Sequence, residues 1–322
     1  MKISKTLLAM TVAAGFCTGA ANAAETWQAK LYGADGGLPT GWLPPEGLYF
    51  VNLNGFAPND PNNNGSGKGS GVKSNIYLEV PELIYVTPFQ ILGAKYAVGI
   101  AEVLSNVDTR VPTGGLPLAL GGTGVFGTVL VPGSLSWSLA NNFFLDYRLA
   151  VTLPVGSYRN PLTHPGGDLT SVNYFAFDNA LSLSWIRDGW NVSGRIYYTA
   201  NTRDLAIDYK SGDVFGTEET ITKKFGKWTF GVNAFTQTQV TNDTGSAVTA
   251  LYGAGAATSG HRMEAYGAGI VAGYDFGPVI TQAWCDHMIR AVNYAGGDLC
   301  YLRTIIPLGV EHDAPKAVAA KY

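Results

Sequence analysis

Leu145-Asp146-Tyr147-Arg148-Leu149-Ala150-Val151-Thr152-Leu153 decides the fold class. Leu145, Tyr147, Leu149, Val151 and Leu153 share one face, and Asp146, Arg148, Ala150 and Thr152 share the other. Side chains alternate across a strand, so this stretch is a β-strand with one apolar and one polar side. The pattern returns at 190–198, where Trp190, Val192, Gly194, Ile196 and Tyr198 oppose Asn191, Ser193, Arg195 and Tyr197. It returns again at 228–239, where Trp228, Phe230, Val232 and Ala234 oppose Asn233, Gln237 and Gln239. Residues 180–185 set Leu181, Leu183 and Trp185 against Ser182 and Ser184.

The connections between these stretches differ in length. Arg187-Asp188-Gly189, Gly226-Lys227 and Asp275-Phe276-Gly277-Pro278 are tight turns, whereas 58–74, 155–172 and 241–260 are long and polar. Short turns at one end and long loops at the other mark an outer-membrane barrel, whose strands need only about 9–11 residues to cross the bilayer. Twelve strands are expected, at 47–57, 75–86, 94–107, 124–132, 143–154, 173–186, 190–200, 213–225, 228–240, 261–274, 279–290 and 299–308. The predicted fold is all-β: a transmembrane antiparallel up-and-down β-barrel of about 12 strands. Pro81 predicts a bulge in the second strand, which would put Leu78 and Val80 on the outer face with Leu83 and Tyr85. Trp185, Trp190 and Trp228 border short turns on the apolar face, where an aromatic girdle belongs. The alternative, a secreted β-sandwich, would carry more charge on its exposed faces.

Composition agrees. The 322 residues are 14% charged, 12% aromatic and include 41 glycines. Mean hydropathy is only +0.08, which excludes a bundle of membrane helices. A net charge of −3 offers no attraction for a phosphate backbone, so no nucleic-acid partner is expected. Residues 265–284 are long and apolar enough to suggest a membrane helix. Gly267, Gly269, Gly273 and Gly277 weaken any helix there and Pro278 would break it, so a hairpin is the better reading.

Residues 1–23 read as a secretory signal peptide: Lys2 and Lys5, a short apolar stretch from Leu7 to Gly15, and Ala21-Asn22-Ala23 for cleavage. Phe16 is too bulky to precede a lipidated Cys17. Residues 24–46 form a lead-in, either a small lumenal plug or a stiff periplasmic segment set by Pro39, Pro44 and Pro45. The barrel is expected over 47–308, with a tail at 309–322. Export implies the bacterial outer membrane, with its lipid and the barrel-assembly machinery as partners.

Pro44-Pro45-Glu46-Gly47-Leu48-Tyr49-Phe50, Ile91-Leu92-Gly93-Ala94-Lys95-Tyr96, Tyr209-Lys210-Ser211-Gly212 and Gly226-Lys227-Trp228 occur in an order and spacing that resembles the outer-membrane family named for the meta-pathway of phenol degradation. The resemblance covers nearly the whole mature chain. It implies an outer-membrane barrel that transports hydrophobic, often aromatic, compounds. It brings no catalytic residues.

Catalytic patterns are weak. None of His164, His261, His287 and His312 stands four residues from another, so the paired-histidine metal motif is absent. There is no G-x-S-x-G nucleophile elbow. Asp286 and His287 are adjacent strand residues on opposite faces. Gly267-x-Gly269-x-x-Ala272 lacks the strand–turn–helix setting of a dinucleotide site. Neither an enzyme nor a cofactor is expected.

The lumen is the expected functional surface, because a closed barrel hides its backbone. Parity assigns it Asn52, Asn54, Asp146, Arg148, Arg195, Tyr197, Asn233, Phe235, Gln237, Gln239, Trp284, Asp286 and Arg303. These residues read either as a solute path or as a hydrogen-bonded plug that shuts the barrel. Aromatics among amides suit an apolar or aromatic solute better than a free ion. Cys285 and Cys300 lie on neighbouring strands near the extracellular rim, either as a disulfide or as two outward free thiols. The expected function is a passive channel for hydrophobic or aromatic small molecules; the alternative is a structural or adhesive barrel acting through its extracellular loops.

Overall fold

The structure is a computed structural model describing residues 28–63, 67–111, 118–164, 170–253 and 261–309. The expected signal peptide, most of the C-terminal tail and His312 lie outside these residues. The strands are β1 (Gly47–Asn63), β2 (Gly69–Ile91), β3 (Ala94–Val111), β4 (Leu118–Ser138), β5 (Phe143–Leu153), β6 (Ala176–Arg187), β7 (Trp190–Asn201), β8 (Val214–Phe225), β9 (Trp228–Gln239), β10 (Glu264–Asp275), β11 (Ile280–Val292), β12 (Tyr294–Ala295) and β13 (Leu299–Leu308). A short helix, α1 (Ser246–Tyr252), lies in the β9–β10 loop.

All pairings are antiparallel, and most join neighbours in sequence. The sheet closes where β1 pairs with β2 on one side and β13 on the other, from Leu48↔Leu308 to Phe56↔Cys300. Twelve strands make the wall. The thirteenth, β12, is two residues long and pairs only with the extracellular end of β1. Closure matters because an open strand edge cannot be satisfied in hydrocarbon. The chain is a closed antiparallel β-barrel.

The segment 265–284 is not helical. It forms the facing strands β10 and β11, with Phe276 N–H donating to the Val279 carbonyl at 2.9 Å in the turn. Among the described residues, no helix is long and apolar enough to cross a membrane.

From β5 to β11 the alternation runs as expected. Leu181, Leu183, Val192, Ile196, Phe230 and Val232 are exposed to the outside, while Ser182, Ser184, Ser193, Arg195 and Asn233 are buried inside. A girdle marks the short-turn rim: Trp228 stacks on Phe230 at 5.7 Å and meets Tyr274 edge-on at 4.7 Å. The Lys223 ammonium sits 4.9 Å from the centre of the exposed Trp190 ring.

β1 and β2 depart from expectation. No bulge forms at Pro81, whose register with Asn52 continues unbroken from the pairs on either side. Leu78 is therefore buried on the inner face, and Val80 packs against the inner cluster of Val103, Phe126 and Val172. In β1 the inward residues are Tyr49, Val51, Gly55 and Ala57, so Asn52 and Asn54 belong to the outer face rather than the lumen. There the Tyr77 hydroxyl donates to Asn54 Oδ1 at 2.7 Å, and Asn52 Nδ2 donates to Glu79 Oε1 at 3.4 Å. The neighbouring Glu102 accepts from Thr128 at 2.7 Å.

The exposed Ile196 faces Leu181 across β6 and β7, near mid-strand. Replacing Ile196 with Arg should cost about 2–4 kcal/mol of folding stability in a bilayer, as for basic residues at the midplane of a barrel wall. Denaturant titration in liposomes checks this; an unchanged midpoint would mean that this face does not meet lipid.

Candidate functional site

The segment 28–43 runs inside the barrel, and its charges meet charges on the wall. Asp35 pairs with Arg195 of β7 and lies 3.1 Å from Lys30 Nζ. Lys30 lies 3.4 Å from Glu218 Oε1 of β8 and sits over the Tyr197 ring. Arg195 also donates from Nε to Ser182 Oγ at 2.9 Å. Asp35 is on the inserted segment, not on a strand. Burial alone would raise its carboxyl, but the Arg195 guanidinium and the Lys30 ammonium outweigh burial and hold it well below the usual carboxylate range. Its contribution is therefore fully present near neutral pH and is lost only as pH falls through that lowered value.

Backbone hydrogen bonds fasten the same segment. The Tyr301 hydroxyl donates to the Tyr32 carbonyl at 2.6 Å, and the Trp284 indole N–H donates to the Gly33 carbonyl at 2.9 Å. Arg303 donates to the Gly36 carbonyl at 2.9 Å and to the Ala34 carbonyl. Its guanidinium stacks 4.5 Å above the Trp284 ring. Gln237 donates to the Lys30 carbonyl at 3.1 Å and Gln282 to the Gly37 carbonyl at 3.2 Å. Further along, Gly41 N–H donates to Ser184 Oγ at 2.7 Å, and its carbonyl accepts from Ser136 at 2.8 Å. Gly36 lies so close to the Trp284 indole that a Cβ there would collide with the ring. Gly33 combines a φ of +65° with a position against Asp286 and Phe235 that leaves no room for a side chain.

The parity assignment thus separates into three groups. Arg195, Tyr197, Phe235, Gln237, Trp284 and Arg303 converge on the inserted segment. Asp146, Asn233, Asp286 and Gln239 are buried nearby on wall or roof: Asp146 accepts from Ser134 at 2.6 Å, and Asp286 accepts from Asn233 at 2.6 Å. Gln239 belongs to the extracellular roof, where it donates to Asp243 at 2.8 Å; Asp243 also accepts from the Tyr209 hydroxyl at 2.5 Å. Arg148 is half-buried on the inner face of β5. Asn52 and Asn54 form the third group, outside the barrel.

Several participants escaped the sequence reading: Glu218, Gln282, Tyr301 and Thr220, which accepts from Gly37 N–H at 3.1 Å, on the wall, and Lys30, Tyr32 and Asp35 on the segment. Glu218 and Thr220 share inward parity with Val214 and Gly216, opposite the outward Phe215 and Ile221. That alternation was the signal that could have found them.

The other side of the lumen is apolar. Between the inserted segment and β1–β4 lies a partly open apolar cavity. Its lining includes Leu31, Tyr32, Ile76, Leu78, Val103 and Phe126. On the outer wall Cys285 and Cys300 stand opposite each other in register and are joined by a disulfide. Among the described residues, no cluster of His, Cys, Asp and Glu could hold a metal ion.

The sequence profile of the family described as "Putative MetA-pathway of phenol degradation" matches residues 58–304. The chain belongs to this family. Among solved structures, the COG4313 outer membrane channel from Pseudomonas putida F1 superposes with a TM-score of 0.67 at 13% identity, over 83% of this chain and 97% of that one. The β domain of the Bordetella autotransporter BrkA gives a TM-score of 0.44 at 11% identity, over 82% of this chain and all of its own. At 13% identity the likeness to the channel speaks for the fold alone. No curated protein sequence matches the chain.

Asp35 and Arg195 are both largely buried, at 11% and 5% side-chain exposure. Breaking one partner of a buried pair costs about 3–5 kcal/mol. Asp35→Asn should therefore speed amide exchange across 30–37 by roughly a hundredfold to several thousandfold, with exchange in β6–β9 unchanged. Exchange in the segment equal to wild type would show that the ion pair does not hold it.

Proposed function

We propose that the protein is a passive outer-membrane channel for hydrophobic or aromatic small molecules. The observation that carries this reading is the apolar cavity between the inserted segment and β1–β4. A solute without charge gains by leaving water for such a lining, at roughly 25 cal/mol per Å² of apolar surface buried. A free ion or sugar would instead lose hydration against Leu78, Val103 and Phe126 with nothing to replace it. Much of the polar half of the lumen holds the segment: the Arg195, Glu218 and Arg303 side chains and the Gln237 and Gln282 amides are turned toward it. Ligand sites are commonly apolar cavities with a few polar groups at their edge, and Gln28 and Ser105 at the cavity fit that pattern. Family membership supports the same reading. No energy-coupling motif is present in the sequence, which favours diffusion down a gradient.

Proteoliposome uptake tests the proposal, with small sugars compared against phenol-like solutes of similar size and protein-free liposomes correcting for passage through lipid. The expected result is faster protein-dependent uptake of the aromatics. Val103→Asp, which puts a carboxylate in the cavity wall, should cut that uptake about tenfold, because an apolar solute must then bind beside a group that loses its water. Equal uptake of sugars and aromatics would point to a general pore. Uptake of neither would turn attention to the extracellular loops.

A further inference from the structure

The Tyr32 ring stands apart from the other fastenings of the inserted segment. It is 4% exposed and lies face to face with Phe235 of β9, ring centres 4.8 Å apart and planes 28° apart. Tyr294 of β12 meets it edge-on at 5.7 Å and 66°. These are the two arrangements that aromatic quadrupoles favour: an offset stack on one face and an edge contact beside it. The Tyr32 ring also lines the apolar cavity, together with Tyr294, Leu31 and Leu299. Its backbone is fastened separately, by the Tyr301 hydroxyl on its own carbonyl and by the Trp284 indole on the carbonyl of Gly33. The ring and the backbone that carries it are thus held by different contacts.

We propose that Tyr32 occupies, from within the chain, a subsite for a planar aromatic ring between Phe235 and Tyr294, and that an aromatic solute in the cavity competes with it for that place. Phe235 supplies the stacking face and Tyr294 the edge. Phe235 belongs to β9 of the wall and Tyr294 to β12, which is paired to β1, so the slot persists when Tyr32 leaves. The displaced side chain takes up cavity space, so each bound solute exchanges for one internal ring. Selectivity then follows from shape and π-character: a saturated ring of equal size fills the volume but forms neither contact. This inference rests on the reading of the protein as a channel for hydrophobic or aromatic solutes and names the feature that would favour the aromatic ones.

The test is equilibrium binding of phenol and cyclohexanol to the purified full chain in detergent micelles, with empty micelles subtracted and folding checked by heat-modified gel mobility. Tyr32→Ala removes the internal competitor. It should bind phenol about tenfold more tightly than wild type, the scale of one favourable ring pair, with little change for cyclohexanol. Adding Phe235→Leu should erase the gain. Tyr32→Leu keeps apolar bulk if the alanine variant does not fold, and it too should favour phenol, because leucine is the poorer partner for Phe235. Phenol binding equal to wild type in whichever of these variants folds, or an equal gain for cyclohexanol, would overturn the subsite. Selective aromatic uptake by wild-type proteoliposomes alongside that result would leave the channel reading standing. Absence of selective uptake with a Tyr32-dependent phenol gain would remove the channel reading and keep the subsite.

Discussion

A barrel wall with charges on its inner face needs partners for them, and here the partners come from the chain itself. The Asp35 carboxylate between Arg195 and Lys30 is the interaction on which the rest of the lumen depends. Buried charges persist only when paired, and removing one partner costs far more than the pair returns. Once Asp35 is seated, the carbonyls of 32–37 come within reach of Tyr301, Trp284, Arg303 and Gln282, and Gly33 and Gly36 let the backbone lie flat on the rings beneath. The segment thus lies against the polar half of the barrel and forms one wall of the apolar half.

Only part of the barrel follows the usual rule for barrel walls. In β5–β11 polar residues point in and apolar residues point out. In β1 and β2 the inner face carries Val51, Ala57, Ile76 and Leu78, while Asn52, Asn54 and Glu79 lie outside and bond to one another and to Tyr77. The outward polar groups are tolerable because their hydrogen bonds are made within the wall. One asymmetric barrel can in this way hold a charged plug on one side and offer an apolar path on the other.

This asymmetry also explains what the sequence disclosed and what it hid. Period-two alternation with short turns revealed the barrel, its strand number and the inward placing of Arg195, Phe235 and Trp284, because those strands obey the polar-in rule. The same rule, applied to β1, turned Asn52 and Asn54 the wrong way. A bulge assumed at Pro81 turned Leu78 and Val80 outward, so the lining of the apolar cavity went unseen. Proline lacks a backbone N–H, but Pro81 keeps register with Asn52, and alternation runs through it. The lead-in 24–46 could be read either as plug or as periplasmic segment, since no periodicity says where an irregular stretch with several glycines folds back. Only the positions of Arg195, Glu218 and Trp284 in three dimensions show what Lys30, Tyr32 and Asp35 meet.

The central claim is that solute occupies the apolar half of the lumen while the segment stays seated in the polar half. Anomalous diffraction from crystals soaked in 4-bromophenol tests it most directly. A bromine peak is expected between the inserted segment and β1–β4, beside Leu78, Val103 and Phe126, with Asp35 still against Arg195. Bromine confined to the outer wall, or seated in the polar half with the segment expelled, would contradict it.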